Sequence, residues 1–97
     1  MKIKRVLITS DTAWELIMPS WYAPGRKHFV KEHRDPHNKL LWIHLDYNGI
    51  IHQDDAVELT DPWSRFLCAL KEIQVHAGAA ASEYIKPIAE VLRKWTK

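Results

Sequence analysis

Asp61-Pro62 limits the folds open to this chain more than any other pair of residues. Aspartate caps the unpaired N–H groups at a helix start, and proline fits the first helical position because it has no N–H to leave unpaired. Downstream, Trp63, Phe66, Leu67, Leu70, Ile73 and Ala77 recur at three- and four-residue intervals, which predicts an amphipathic helix with one apolar stripe. Gly78 supplies a left-handed cap, and Ser82 begins a second helix with Tyr84, Ile85, Ile88, Ala89, Leu92 and Trp95 on one stripe. Pro87 is expected to kink that helix or to mark its true start. Two such helices need an apolar layer from the residues before them.

Lys2 to Thr9, KIKRVLIT, is rich in β-branched residues and predicts a first strand. Ser10 and Asp11 are good caps for about two helical turns in DTAWELIM, which Pro19 ends. Pro19, Pro24 and Gly25 then shape a loop or short helix before the basic RKHFVKEHR segment. Residues 36–47 fit two elements. DPHNKLL at 35–41 parallels DPWSRFL at 61–67, which argues for helix, whereas Asn48-Gly49 between strand-forming runs argues for a hairpin over 40–53 with a two-residue type I′ turn. In that hairpin Leu45 lies opposite His52; Leu41, Ile43, Leu45, Tyr47, Ile50 and His52 form the apolar face, and Trp42, His44 and Asp46 point away. The expected architecture is a single α+β domain over 1–97, a small antiparallel sheet made of the N-terminal strand and the hairpin 40–53 packed against two C-terminal helices. A mainly α fold is the alternative.

Composition narrows the function. Of 97 residues 46% are hydrophobic and 27% charged, the balance of a globular domain. The single cysteine, Cys68, forms no internal disulfide, and no run approaches the roughly 18 apolar residues of a membrane span. A secretory signal is also missing, so a reducing, cytoplasmic setting is expected. The net charge of +2 is too small to point to nucleic acid by itself, but it hides a segregation. Arg26, Lys27, Lys31, Arg34 and Lys39 stand against Glu32 and Asp35 in 22–39, whereas 40–64 holds Asp46, Asp54, Asp55, Glu58 and Asp61 with no lysine or arginine. Such blocks either neutralise each other in the fold or face a partner.

Catalytic and metal chemistry find little support. His33 and His37 have i,i+4 spacing, but Pro36 opposes the helix that would converge them, and the expected hairpin puts His44 and His52 on opposite faces. Cys68 sits off the apolar stripe near Ser64, Lys71, Glu72 and Val75, the place of a small helix-flank residue. Asp54 and Asp55 are expected to be solvated on a turn, and the three glycines lie too far apart for a phosphate loop. A non-enzymatic protein without metal or cofactor is therefore expected.

Five tryptophans are a surplus for so short a chain. In SWYAPGRKHF, Trp21 and Tyr22 stand beside Arg26, Lys27 and His28, a set of rings and cations suited to a partner-binding surface. A protein partner would bury the rings and offer acidic groups to the cations; a single-stranded nucleic acid would stack its bases and lay its phosphates along them. Alternatively, Trp21 and Tyr22 cover an edge of the sheet. Trp63 and Trp95 are expected in the core.

In its length, its opening KIKRVLITSDTAWELIM and the following PSWYAPGRKH, the chain resembles the small early accessory proteins of lambdoid phages, particularly the anti-RecBCD modulators. That resemblance implies a non-enzymatic inhibitor that binds the host recombination nuclease, on its RecC subunit, so that phage DNA survives and recombines. It assigns a role to no individual residue. The acidic stretch from Asp46 to Asp61 would be suited to engage a basic DNA channel in such a partner.

Overall fold

The computed structural model describes residues 2–11, 20–46, 49–77 and 82–95, with side chains of the last segment from 86 onward. The fold is α+β. Five antiparallel strands, β1 (Ile3–Ile8), β2 (Lys27–Arg34), β3 (Leu40–His44), β4 (Ile50–His52) and β5 (Ala56–Glu58), form one sheet in the order β4-β3-β2-β1-β5. Two helices follow, α1 (Pro62–Ala77) and α2 (Ser82–Trp95). The short helix expected over 11–18, with Trp14, lies outside the described residues.

β2 corrects the expectation of a loop or short helix in the basic segment. Lys27 to Arg34 pairs with β1 on one side and β3 on the other, and Phe29 and Val30 supply the buried residues. Its turn into β3 explains why Asp35-Pro36 opens no helix. Asp35 Oδ1 accepts the N–H groups of His37 at 2.9 Å and Lys39 at 2.8 Å, and Asn38 adopts a left-handed φ of 63°. That closes a turn instead of capping a helix.

The 40–53 hairpin is present in a different register. Ile43 lies opposite Ile50 and Leu41 opposite His52, so the connection spans 45–49 and the pairing is displaced by four residues. An even displacement keeps the described side chains on their expected sides, yet the burial is reversed. Trp42, His44 and Ile51 are buried, whereas Leu41, Ile43 and His52 are half-buried and Ile50 is exposed. Gly49 has no left-handed φ; it is needed because a Cβ there would overlap Trp21, 2.6 Å from Cη2. Gly49→Ala is expected to destabilise the fold by about 1–3 kcal/mol through this overlap, measured by denaturant unfolding.

Connectivity explains the reversed burial. β4 and β5 are the two outer strands of the sheet, but only the 3-10 turn Gln53–Asp55 separates them. Four residue steps reach at most about 14 Å, whereas the outer strands of a flat five-stranded sheet stand roughly 19 Å apart. The sheet therefore curls. All five strands contribute to the inner cluster, Val6 and Ile8, Val30, Trp42, Ile51 and Ala56, which the 3-10 turn Ser20–Tyr22 covers with Tyr22 and the half-buried Trp21. At one end Lys4 bridges Glu32 and Glu58.

The helices pack outside, where Ile3 and Phe29 meet Leu67 and Leu92. Asp61 caps α1 as expected, accepting the Ser64 N–H at 3.0 Å and its hydroxyl at 2.7 Å. The orientation of α1 corrects the expected core stripe. Leu67 is buried, but Trp63, Phe66 and Ile73 are exposed, and Ser64, Cys68 and Lys71 turn inward or sit half-buried instead. Polar anchors set that rotation: Glu72 Oε1 accepts the Ile3 N–H at 2.9 Å, and Lys71 Nζ lies 5.8 Å from the Phe29 ring centre. α2 begins before Pro87, which therefore does not mark its start.

Candidate functional site

β2 and β3 are paired neighbours with Val30 opposite His44, so His28 and His44 lie diagonally adjacent on one face. The Asp46 N–H donates to His44 Nδ1 at 3.0 Å, so His44 carries its proton on Nε2 and donates it to His28 Nδ1 at 2.9 Å. His28 Nε2–H donates in turn to the Trp21 carbonyl. Each ring is fixed as the Nε2–H tautomer with its other nitrogen already accepting. An added proton has nowhere to go without breaking a bond, and burial opposes the charge besides. Burial lowers the pKa of both rings, and that of His44 falls to about 4. Trp21 lies edge-on to His28, with ring centres 5.6 Å apart, and tilted over His44 at 5.0 Å.

Beside this relay is a cavity of about 440 Å³. Arg26 and Lys27 at the start of β2, Lys71 from α1 and Arg93 from α2 line it together with Trp21, His28 and His44. Among the described residues Asp46 is the single carboxylate on its wall, 3.7 Å from Lys71. With both imidazoles neutral, the lining carries four positive charges against one negative.

Four of the five residues expected to bind a partner, Trp21, Arg26, Lys27 and His28, thus meet at one cavity. Tyr22 does not. Its ring is 1% exposed, and its hydroxyl donates to Asp55 Oδ2 at 2.7 Å while accepting the His52 N–H at 3.1 Å. The expectation that both rings belong to a partner-binding surface is corrected for Tyr22, which fills the inner core, while Trp21 is half-buried against Gly49 and the imidazoles. Spacing along the sequence carries no trace of the neighbours that cover them.

The wet rings are elsewhere. Trp63, Phe66 and Trp95, two of them expected in the core, are 39%, 50% and 47% exposed. Trp63 stacks on Phe66 with ring centres 5.4 Å apart and meets Trp95 edge-on at 5.1 Å. Lys94 Nζ lies 5.7 Å from the Trp95 ring centre, and Arg65 on α1 is exposed. Amphipathic spacing put Trp63 and Phe66 on the stripe of α1 and Trp95 on that of α2; it does not tell which face of each helix the sheet covers.

Asp55 corrects the expectation of a solvated aspartate pair. Its carboxylate is 1% exposed and accepts the Ser10 hydroxyl at 2.6 Å as well as that of Tyr22, a closed structural clasp. Asp54 is exposed, with His52 at 3.8 Å. Burial pushes the Cys68 thiol up to about 11, which keeps it protonated near neutral pH. Most of the acidic stretch serves the fold: Asp46 faces Lys71, Asp55 clasps Tyr22, Glu58 binds Lys4 and Asp61 caps α1. Of the five acidic residues in that stretch, only Asp55 is buried; Asp46, Asp54, Glu58 and Asp61 are exposed.

Among the described residues no group of three or more His, Cys, Asp or Glu is placed to share a metal ion, and no helix is long and apolar enough to cross a membrane. Comparison with protein-family models, curated proteins and solved structures finds no match for this chain.

Proposed function

We propose that this protein is a non-enzymatic modulator that docks on a host DNA-processing enzyme in the cytoplasm, the activity implied by its resemblance to the phage anti-RecBCD proteins. One observation carries the docking: Trp63, Phe66 and Trp95 form a contiguous, half-exposed aromatic cluster on the helical layer. Large apolar side chains left in water forgo burial energy in the free protein. Covering a ring recovers about 1.5–3 kcal/mol, and tryptophan is among the residues that dominate protein interfaces. Arg65 and Lys94 complement acidic groups on the partner. Because Tyr22 is internal, docking centres on the helices instead of on the 21–28 segment.

Isothermal titration of the purified RecBCD nuclease-helicase tests this. Trp63→Ala/Phe66→Ala is expected to weaken binding at least about 100-fold, since each hot-spot truncation costs about 2 kcal/mol or more. These side chains are half exposed, so the variant retains its circular dichroism spectrum. Unchanged affinity, or no binding by the wild type, would refute the proposal.

A further inference from the structure

We infer that the cavity beside the histidine relay binds phosphoryl groups, and that a single-stranded nucleic acid supplies them. The chain gathers Arg26, Lys27, Lys71 and Arg93 from β2, α1 and α2 around one concavity with Asp46 as the only carboxylate among the described residues. Like charges brought together repel in the compact state, and an anion between them removes that repulsion. The two arginines offer planar forks of N–H donors that match phosphate oxygens. A volume of about 440 Å³ lies in the range of small-ligand sites, large enough for a nucleotide unit.

The aromatic part of the lining decides the source. Trp21 places an indole at the cavity, and a strand with unpaired bases presents rings to an indole while its phosphates meet cations. In a duplex those bases are stacked away, and an acidic peptide offers nothing to the ring. The relay adds a second constraint: every imidazole nitrogen already has a partner within the fold, so the rings act as rigid, uncharged walls and the guanidinium and ammonium groups supply the charge. This inference does not rest on the docking proposal, because it uses different residues.

Fluorescence anisotropy of an end-labelled single-stranded oligonucleotide tests it, with Arg26→Glu/Lys27→Glu as the variant. Both residues are exposed, so the variant is expected to keep its fold, checked by its circular dichroism spectrum. The wild type is expected to bind with affinity that falls steeply with salt. The variant should bind at least about 10-fold more weakly, with the log–log salt slope reduced by about 1.4. Pyrophosphate should displace the strand, a duplex of the same sequence should bind more weakly, and Trp63→Ala/Phe66→Ala should bind as the wild type does. Pyrophosphate bound without any affinity for the strand would overturn the strand in favour of a small phosphorylated ligand. Polyglutamate competing as well as the strand, or no binding at all, would overturn the phosphoryl site.

Discussion

Asp55→Ala is expected to lower the unfolding free energy by about 3–5 kcal/mol, a large part of the roughly 5–15 kcal/mol of a domain this size. The carboxylate is 1% exposed and accepts the Tyr22 and Ser10 hydroxyls, while its own backbone carbonyl accepts the N–H groups of Thr9 at 2.7 Å and Ser10 at 3.1 Å. Alanine keeps the backbone bonds, takes the acceptor from the buried Tyr22 hydroxyl at about 1–3 kcal/mol, and removes the hydrogen bond between the half-buried Ser10 hydroxyl and a charged group, worth about 1.5–3 kcal/mol. Tyr22→Phe removes one of these donors together with the acceptor for the His52 N–H, and should cost about 1–2 kcal/mol. The two effects should fall short of additive in the double variant, because both act on the same hydrogen bond. Urea denaturation followed by tryptophan fluorescence measures all three. A loss below about 1 kcal/mol for Asp55→Ala would show that the clasp is dispensable.

Acidification below neutrality is expected to cost stability before most carboxylates titrate. The His44 pKa is lowered to about 4 in the folded protein, against an ordinary value of 6.5. The unfolded chain therefore takes up the proton first, and the stabilising contribution is complete above pH 6.5 and lost as pH falls from there toward 4. For a shift of this size the loss approaches about 3 kcal/mol. His28, lowered by burial as well, adds to it in the same direction. Protonation at Nδ1 breaks the bond that His28 accepts from His44, or the one that His44 accepts from the Asp46 N–H, and Trp21 packs on both rings, so Trp21 fluorescence should change with the same midpoint as the unfolding. His44→Gln should flatten the dependence between pH 6.5 and 5. Stability independent of pH over that interval would contradict the fixed tautomers.

How much of this was legible in the residues follows from the range of each interaction. Asp61-Pro62 and the first strand act over a few residues, and both elements form as expected. β2 was not legible, since RKHFVKEHR carries few strand-forming residues and becomes a strand by lying between β1 and β3. Alternation in 40–53 marked a hairpin, but Gly49 resembled a turn glycine when its reason is a tryptophan 28 positions earlier. The cations at 26 and 27 were visible as a candidate site; Lys71 and Arg93, which complete the cavity, come from helices that the fold alone brings near. Trp63 and Phe66 announced an apolar stripe, and the polar anchors Lys71 and Glu72 on the adjacent face won the contact with the sheet.

The close meeting of β4 and β5 at Gln53–Asp55 also limits the manner of recognition. Each of these border strands is three residues long. A visiting peptide that sought to extend the ladder through main-chain hydrogen bonds would find room for only one or two rungs before the chain turns away. Partners must therefore be selected by side-chain chemistry, and a change of a single ring or cation should alter specificity more than any change in backbone register.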